Sequence, residues 1–207
     1  MSRATASLRS LSTGQRLLHC AHSAEIWLDT EMQDMLCVKK GAVRVDCAGA
    51  GGDRHFVTLV LEGEMIGPWL KPEASACYVI TALTTTVLEW RTLDDEPTDV
   101  FAHSLSAMAR RAARLSALVR GTAADRVMGL LTLLAGDRRD ATPIDLPTRK
   151  NIADITALTI ETVSRTIPRF RKDGLLRPRR SRSARVNGAF TLHRPQPTAD
   201  EHLGMAA

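Results

Sequence analysis

The sequence predicts an α+β protein: an N-terminal antiparallel β-roll, then a long dimerisation helix, then a C-terminal winged helix-turn-helix. Short segments rich in β-branched residues and separated by glycines fill the first half, which is typical of small antiparallel barrels and rolls. An apolar heptad repeat follows. Near residue 150, two short amphipathic helices flank a tight turn. We therefore divide the chain into a roll (1–96), a dimerisation helix (97–120), a winged domain (121–194) and a flexible tail (195–207).

Five segments of the first half have the composition of strands. Val, Ile, Leu and Thr alternate or cluster in them, and glycines such as Gly41, Gly63 and Gly67 mark the turns. Strands this short, joined by glycine turns, pair most simply as antiparallel neighbours. The candidates are Leu36–Lys40, Ala42–Asp46, His55–Leu61, Tyr78–Ala82 and Thr86–Trp90.

An apolar residue recurs at every third or fourth position after Pro97, a residue that the start of a helix tolerates. The average step of about 3.5 residues favours a helix–helix dimer. The alternative is an amphipathic helix packed on its own β-domain. Arginines between the apolar positions, among them Arg111 and Arg114, are expected to stay in water. The predicted dimer interface consists of Phe101, Leu105, Met108, Ala112, Leu115 and Val119.

Residues 148–165 predict two short helices joined by a turn. A break at Gly121 and an amphipathic helix over Ala124–Ala135 come before them. Thr148 is placed to cap the first short helix and Thr159 to cap the second. The turn is expected at Ala157, followed by a buried Leu158. In the first helix Ile152 and Ile155 are expected to point inward, and in the second Val163 and Ile167.

The second short helix carries three polar residues on one face: Glu161, Ser164 and Arg165. Arg165 can donate two hydrogen bonds to a guanine, Glu161 can accept one from a cytosine amino group, and Ser164 can contact a thymine methyl. The alternative reads Glu161 and Arg165 as an ordinary surface ion pair at i, i+4. This face makes DNA binding the leading functional interpretation.

The charge distribution agrees with DNA binding. Residues 1–97 hold 9 Lys and Arg against 13 Asp and Glu, whereas residues 98–207 hold 19 against 10. Residues 177–185 contain five arginines and no acid, as expected of a wing beside a phosphate backbone or of a disordered basic tail. The predicted phosphate contacts are Thr148, Arg149, Lys150, Thr159, Thr162, Arg180 and Arg182.

Other classes of protein find little support. No apolar run approaches the ~18 residues that span a membrane, and the first residues do not form a secretory signal, so we expect a cytoplasmic protein. The four cysteines include no Cys-x-x-Cys pair, and neither paired carboxylates nor a His-Glu-x-x-His zinc motif occurs. The sequence therefore predicts a protein that is not an enzyme, and a thiol oxidoreductase is the weakest of the alternatives.

Residues 146–176 closely resemble the DNA-binding domain of the CRP/FNR transcription regulators, and the Glu-x-x-Ser-Arg pattern resembles the FNR branch. The resemblance implies a homodimer that binds double-stranded DNA at palindromes with half-sites like TTGAT, and RNA polymerase as a partner. Segments 36–45 and 63–67 resemble the β-roll of the family more weakly. The matching residues are Thr148-Arg149, Ile152-Ala153, Leu158-Thr159, Glu161-Thr162-Val163-Ser164-Arg165, Arg169-Phe170 and Gly174-Leu175-Leu176.

The sequence departs from the family pattern in four places. Pro68 follows Gly67, and Ala76-Cys77 stand where cyclic-AMP binders carry Arg-Ser or Arg-Thr, so no guanidinium remains to pair a cyclic phosphate and no binding of cyclic AMP is expected. Ala157 replaces the usual glycine of the turn. Pro168 is expected to kink the second helix or to end it after Arg165.

A sensor site has the weakest support in the sequence. His19, Cys20 and His22 could ligate haem or a metal, and Cys20 or Cys37 could be a reactive thiol. Ordinary strand-end residues are the alternative. The scattered cysteines argue against an iron–sulfur cluster, so no cofactor or metal site is predicted. A ligand- or redox-sensing roll that acts through a protein partner remains the alternative function.

Overall fold

Two four-stranded antiparallel sheets form the N-terminal β-roll. The structure, a computed structural model, describes residues 17–28, 35–49, 51–67, 77–92, 100–136, 141–179 and 189–193, with the backbone alone at 100–104. The strands are β1 (Leu17–Cys20), β2 (Glu25–Leu28), β3 (Met35–Lys40), β4 (Ala42–Ala48), β5 (Arg54–Leu61), β6 (Met65–Ile66), β7 (Cys77–Ala82) and β8 (Thr86–Arg91). One sheet has the strand order β1-β8-β3-β6 and the other β2-β7-β4-β5.

The two sheets enclose an aliphatic core. Side chains such as Val43, Val45, Ile80 and Leu88 alternate inward along their strands and are almost completely buried. All five predicted strands are present, each extended by one or two residues. The prediction missed β1, β2 and β6, because segments of two to four residues give too little alternation to be recognised.

Gly41 makes the tight turn between β3 and β4. Its φ of +88° lies in the left-handed region. A Cβ atom there would lie 2.7 Å from both Thr84 Oγ1 and the Thr85 carbonyl oxygen. The turn therefore requires glycine for its backbone conformation and also for the close approach of the β7–β8 turn.

Helix α1 (Val100–Leu118) packs one face against the roll. Two of its arginines converge on Glu64, in the turn before β6: Arg111 Nε lies 3.1 Å from Oε2, and Arg114 Nη1 lies 3.0 Å from Oε1. Arg111 also donates to the Met65 carbonyl oxygen at 2.8 Å. The expectation that both arginines stay in water was wrong, because Arg111 is buried and Arg114 half-buried against the roll.

The winged domain consists of α2 (Ala123–Ala135), β9 (Thr142–Asp145), α3 (Arg149–Thr156), α4 (Ile160–Lys172), β10 (Leu176–Pro178) and β11 (Ala189–Leu192). It begins with a capping box, in which Thr122 and Asp125 bind each other's backbone amides at the start of α2. The three strands of its described part have the order β10-β11-β9, so the strand that is last in sequence lies in the middle. The fold class is confirmed.

The core of the winged domain continues into the roll. Leu130, Leu131 and Ile152 form one buried cluster with Leu59 of β5 and Leu83 of the β7–β8 turn. The two halves of the chain therefore share apolar contacts.

Among the helices of the described residues, none combines the length and the apolar character that crossing a membrane would need.

Candidate nucleic-acid interface

Helices α3 and α4 form the predicted helix-turn-helix. The Thr148 hydroxyl accepts a hydrogen bond from the Asn151 amide and caps α3, as predicted. Ile152 and Ile155 are buried against α2 and α4. Ala153 is 3% exposed, which suits a residue where two helices approach closely. The interior face of α3 therefore fixes the position of the turn that follows.

The turn between the two helices has a left-handed backbone at Ala157, the position where the resemblance implies glycine. Ala157 has φ 52° and ψ 46°, in the left-handed region that glycine adopts most easily. The Leu158 amide donates to the Ala153 carbonyl oxygen at 2.9 Å, which closes the end of α3. Leu158 packs against the core but is only half-buried, less than the sequence predicted.

Helix α4 presents the predicted base-reading face. Thr159 caps the helix by accepting from the Thr162 amide at 3.2 Å. Val163 and Ile167 are buried on the inner side, as predicted. On the outer side Glu161 and Arg165 are exposed and Ser164 is half-buried. The helix is thus held rigidly from behind, and its polar face is open to solvent.

Glu161 is held in its charged form. Hydrogen bonds from its own backbone amide and from the Thr159 hydroxyl, together with the positive charge of Arg165, hold the pKa of this carboxyl below its usual range. Glu161 and Arg165 interact through their charges but do not come within ion-pair distance of each other in the described structure. A carboxylate is the form that accepts hydrogen bonds from a base amino group.

Pro168 does not end the helix, which was one of the two outcomes expected from the sequence. Helix α4 runs through it to Lys172. Proline removes one backbone hydrogen bond, but Pro168 lies on the exposed side, while Ile167 and Phe170 beside it are buried and keep the helix on the core. Beyond it Arg171 lies over the Phe190 ring at 5.7 Å and connects the helix to the wing.

The predicted phosphate-contacting residues gather at two helix starts, as far as they are described. Thr148, Arg149 and Lys150 begin α3 and are exposed, whereas the Thr159 and Thr162 hydroxyls lie 3.0 Å apart at the start of α4. Helix N-termini carry unsatisfied amides that favour anions. Arg180 and Arg182 lie outside the described residues, as do Pro68 and Ala76.

An apolar stripe runs along the side of α1 that faces away from the roll. Leu105 is 68% exposed and Met108 is 41% exposed, and Val119, the residue that directly follows the helix, is 42% exposed. Ala112 is exposed on the same side, whereas Leu115 is half-buried and also packs against the core of its own chain. Phe101 lies in the helix, but its side chain falls outside the described residues.

The four predicted sensor residues are not brought together. Cys20 is buried in the roll core, where burial raises the pKa of its thiol, whereas His19, its neighbour in β1, is exposed on the other face of the strand. His22 lies in the next turn and Cys37 is buried in β3. Among the described residues no three His, Cys, Asp or Glu side chains are placed to hold a metal ion together.

A charge network between the roll and α3 escaped the sequence analysis. Arg44 and Asp46 of β4 form an ion pair at 2.7 Å, with side chains 5% and 4% exposed. Arg44 Nη1 also reaches Asp154 Oδ2 in α3 at 2.8 Å. The signal was present in the sequence: two opposite charges at i, i+2 in an apolar strand share a face, and they require a partner if that face is buried.

The chain is similar to known transcription regulators over most of its length. Residues 125–188 match the Crp-like helix-turn-helix domain. The nitrogen fixation regulation protein FixK of Rhizobium meliloti (strain 1021) is 30% identical over 164 residues, which are 77% of each chain. The structure of FixK2 from Bradyrhizobium japonicum is 25% identical, has a TM-score of 0.57 and covers 85% of this chain and 91% of its own. A CRP-family transcriptional regulator from Thermus thermophilus has the same fold, with 22% identity and a TM-score of 0.58 over 79% of this chain and 88% of its own.

Proposed function

Because this chain belongs to the CRP/FNR family of transcription regulators, we propose that it acts as a homodimer that reads a palindromic, FNR-like DNA site. The observation that carries the proposal is the outer face of α4. Glu161 and Arg165 project there into solvent on a helix whose inner face is buried. A rigid helix with exposed polar side chains fits the major groove.

Each residue of this face has a role in the proposal. Arg165 donates two hydrogen bonds to guanine, Glu161 accepts one from cytosine, and Ser164 contacts a thymine methyl, which together select half-sites like TTGAT. Glu161 is a carboxylate at neutral pH, as an ordinary glutamate is, and its lowered pKa keeps it an acceptor under more acidic conditions as well.

Phosphate contacts position this face without choosing a sequence. We assign them to residues at the starts of α3 and α4 and in the basic segment before β11. Contacts of this kind make the affinity steeply dependent on salt. They are Thr148, Arg149, Lys150, Thr159, Thr162, Arg180 and Arg182.

The homodimer is proposed through α1. Leu105, Met108, Ala112 and Val119 form an exposed apolar stripe at heptad spacing, which a second copy of the helix would bury in a parallel seam. Phe101 and Leu115 extend the seam in the sequence. A two-fold dimer places its recognition helices about one helical turn of DNA apart, so the two half-sites should be separated accordingly.

The remaining partners follow from this assignment. A regulator that reads promoters works in the cytoplasm beside RNA polymerase, its second macromolecular partner.

The roll is proposed not to bind cyclic AMP, because the sequence lacks the arginine that would pair with the phosphate. The FNR-like specificity rests on the pattern Glu161, Ser164 and Arg165.

The test is binding of the full-length protein to a duplex with a TTGAT-containing palindrome and to a random duplex, at several salt concentrations. Arg165→Ala should cost ~1–3 kcal/mol on the palindrome and relax the choice at one base pair. Arg169→Ala is the matched control, since this exposed arginine lies one turn further along α4 and its loss should weaken both duplexes equally. An Arg165→Ala protein that distinguishes the two duplexes as the parent does would overturn the assignment.

A further inference from the structure

We propose that Arg44, a buried residue of the β-roll, is a positioning residue for DNA binding: it holds Asp154 and thereby releases Lys150 of α3 for contact with a DNA phosphate. The inference rests on the proposed function, because it assigns a phosphate contact to Lys150. Arg44 itself lies in β4, inside the interface between the roll and the winged domain.

Arg44 is anchored within the roll. Its Nε and Nη2 both lie 2.7 Å from Asp46 Oδ1, and the Phe56 ring lies 5.6 Å from its guanidinium. Both charged side chains are almost fully buried. A buried pair of this kind fixes the direction of the remaining guanidinium nitrogen.

That nitrogen, Nη1, points at helix α3. It donates to Asn151 Oδ1 at 3.2 Å and to Asp154 Oδ2 at 2.8 Å. The same Asp154 oxygen accepts from Lys150 Nζ at 3.0 Å, although Lys150 is 71% exposed. Burial raises the pKa of Asp154, but the two donors outweigh it and the net pKa is lowered, so the carboxylate stays charged between them.

The four charges of Arg44, Lys150, Asp46 and Asp154 sum to zero, and Asp154 has two alternative cationic partners. When the winged domain is docked on the roll, Arg44 holds both Asp46 and Asp154, and Lys150 can leave for a phosphate while Asp154 remains paired. Without the contact between the winged domain and the roll, Arg44 would keep Asp46, and Lys150 would be the cation left to pair with Asp154. Contact of Lys150 with phosphate therefore favours docking, and docking favours contact with phosphate, as thermodynamic linkage requires.

The docked orientation leaves the base-reading face open. Arg44 approaches α3 from the side of Asn151 and Asp154, whereas α4 packs on α2, α3 and β10. Glu161 and Arg165 stay exposed. Docking by Arg44 thus stabilises an arrangement in which α4 can enter a groove.

The test measures the affinity and the salt slope of the full-length protein on the palindromic duplex. Arg44→Gln combined with Asp46→Asn removes the buried pair without leaving one charge alone. We expect an affinity loss of roughly 5-fold or more, in the range of ordinary couplings. The slope of log K against log salt should also fall by about 0.9 for each protomer, as if a phosphate contact were lost, although Arg44 is buried.

The Lys150→Gln substitution distinguishes a positioning role of Arg44 from a general destabilisation of the protein. It should lower the affinity and the slope in the parent, but have little further effect when Arg44 and Asp46 are already replaced. In an Asp154→Ala background Lys150 is free, so replacing Arg44 and Asp46 should no longer change the slope. If the double replacement does not fold, Arg44→Lys is the second variant. Its single ammonium group keeps Asp46 paired but cannot reach Asp154 as well. We expect the same decrease in the slope of log K against log salt.

The outcomes separate the two proposals. If the parent protein shows no salt-dependent binding to the duplex, the proposed function fails. If the parent binds and the variants at Arg44 keep its slope, whether or not their affinity falls, only the role of Arg44 is overturned. A tighter-binding variant at Arg44 would overturn it as well.

Discussion

At the scale of single residues, two positions with a positive φ are occupied by different types of residue. Position 41 (φ +88°) has glycine, which adopts this conformation without strain, whereas position 157 (φ 52°) has alanine, whose β-carbon makes the left-handed region less favourable. The helix-turn-helix keeps its turn because Ile152, Ile155 and Val163 are buried on both sides of it. Tertiary packing therefore sets the backbone of the turn against the local preference of alanine.

Gly41→Ala should destabilise the roll by about 2 kcal/mol or more, because it adds backbone strain and forces a Cβ against Thr84 and Thr85. Urea unfolding of the full chain measures the change. Gly49→Ala is the matched control: a Cβ there meets nothing within 4 Å, and its effect should be small. Equal free energies of unfolding for the two variants would contradict this account of the turn.

At the scale of elements, Glu64 fixes α1 on the roll. Its side chain is 11% exposed and accepts from Arg111 and Arg114, and it also accepts from the Leu61 amide at 3.0 Å. One carboxylate thus joins a β-turn to the helix that carries the proposed dimer seam.

Glu64→Ala should lower the free energy of unfolding by roughly 2–4 kcal/mol, because the buried guanidinium of Arg111 loses its charge partner. Thermal and urea unfolding give the measurement. Glu62→Ala, in the same turn but exposed, should behave like the parent. A Glu64 variant as stable as the Glu62 variant would show that the pair contributes nothing.

The elements also show what a sequence can predict. Helices α3 and α4 were predicted closely because threonine caps and apolar spacing are local signals. The sequence left open whether the helix ends near Pro168, since the buried residues that keep it on the core belong to tertiary structure. In the Arg44 network the pair with Asp46 has a local pattern, but the partner Asp154 is too far along the chain to be identified from one.

At the scale of the whole molecule, the exposed stripe on α1 should decide the oligomeric state. Met108→Asp places a charge in the middle of the proposed seam, so the protein should sediment as a monomer. The affinity of this variant for the palindrome should fall when the dimer is lost, because one protomer reaches only one half-site. Analytical ultracentrifugation and duplex titration measure the two effects.

Ala113→Asp is the control for that experiment. Ala113 is exposed on a different face of α1, outside the stripe, and this variant should sediment and bind as the parent does. Dimers of unchanged stability in the Met108 variant would place the contact between protomers elsewhere on the molecule.

The strand order of the winged domain has a consequence for biosynthesis. Strand β11 lies between β9 and β10, yet it leaves the ribosome after both of them. A nascent chain that stops before Ala189 would expose two unpaired strand edges and lack the sheet on which α2 rests. Nearly all of the described chain must therefore be translated before the sheet of the winged domain can form. Prematurely terminated chains should then be degraded by proteases instead of competing with the full-length protein for promoters.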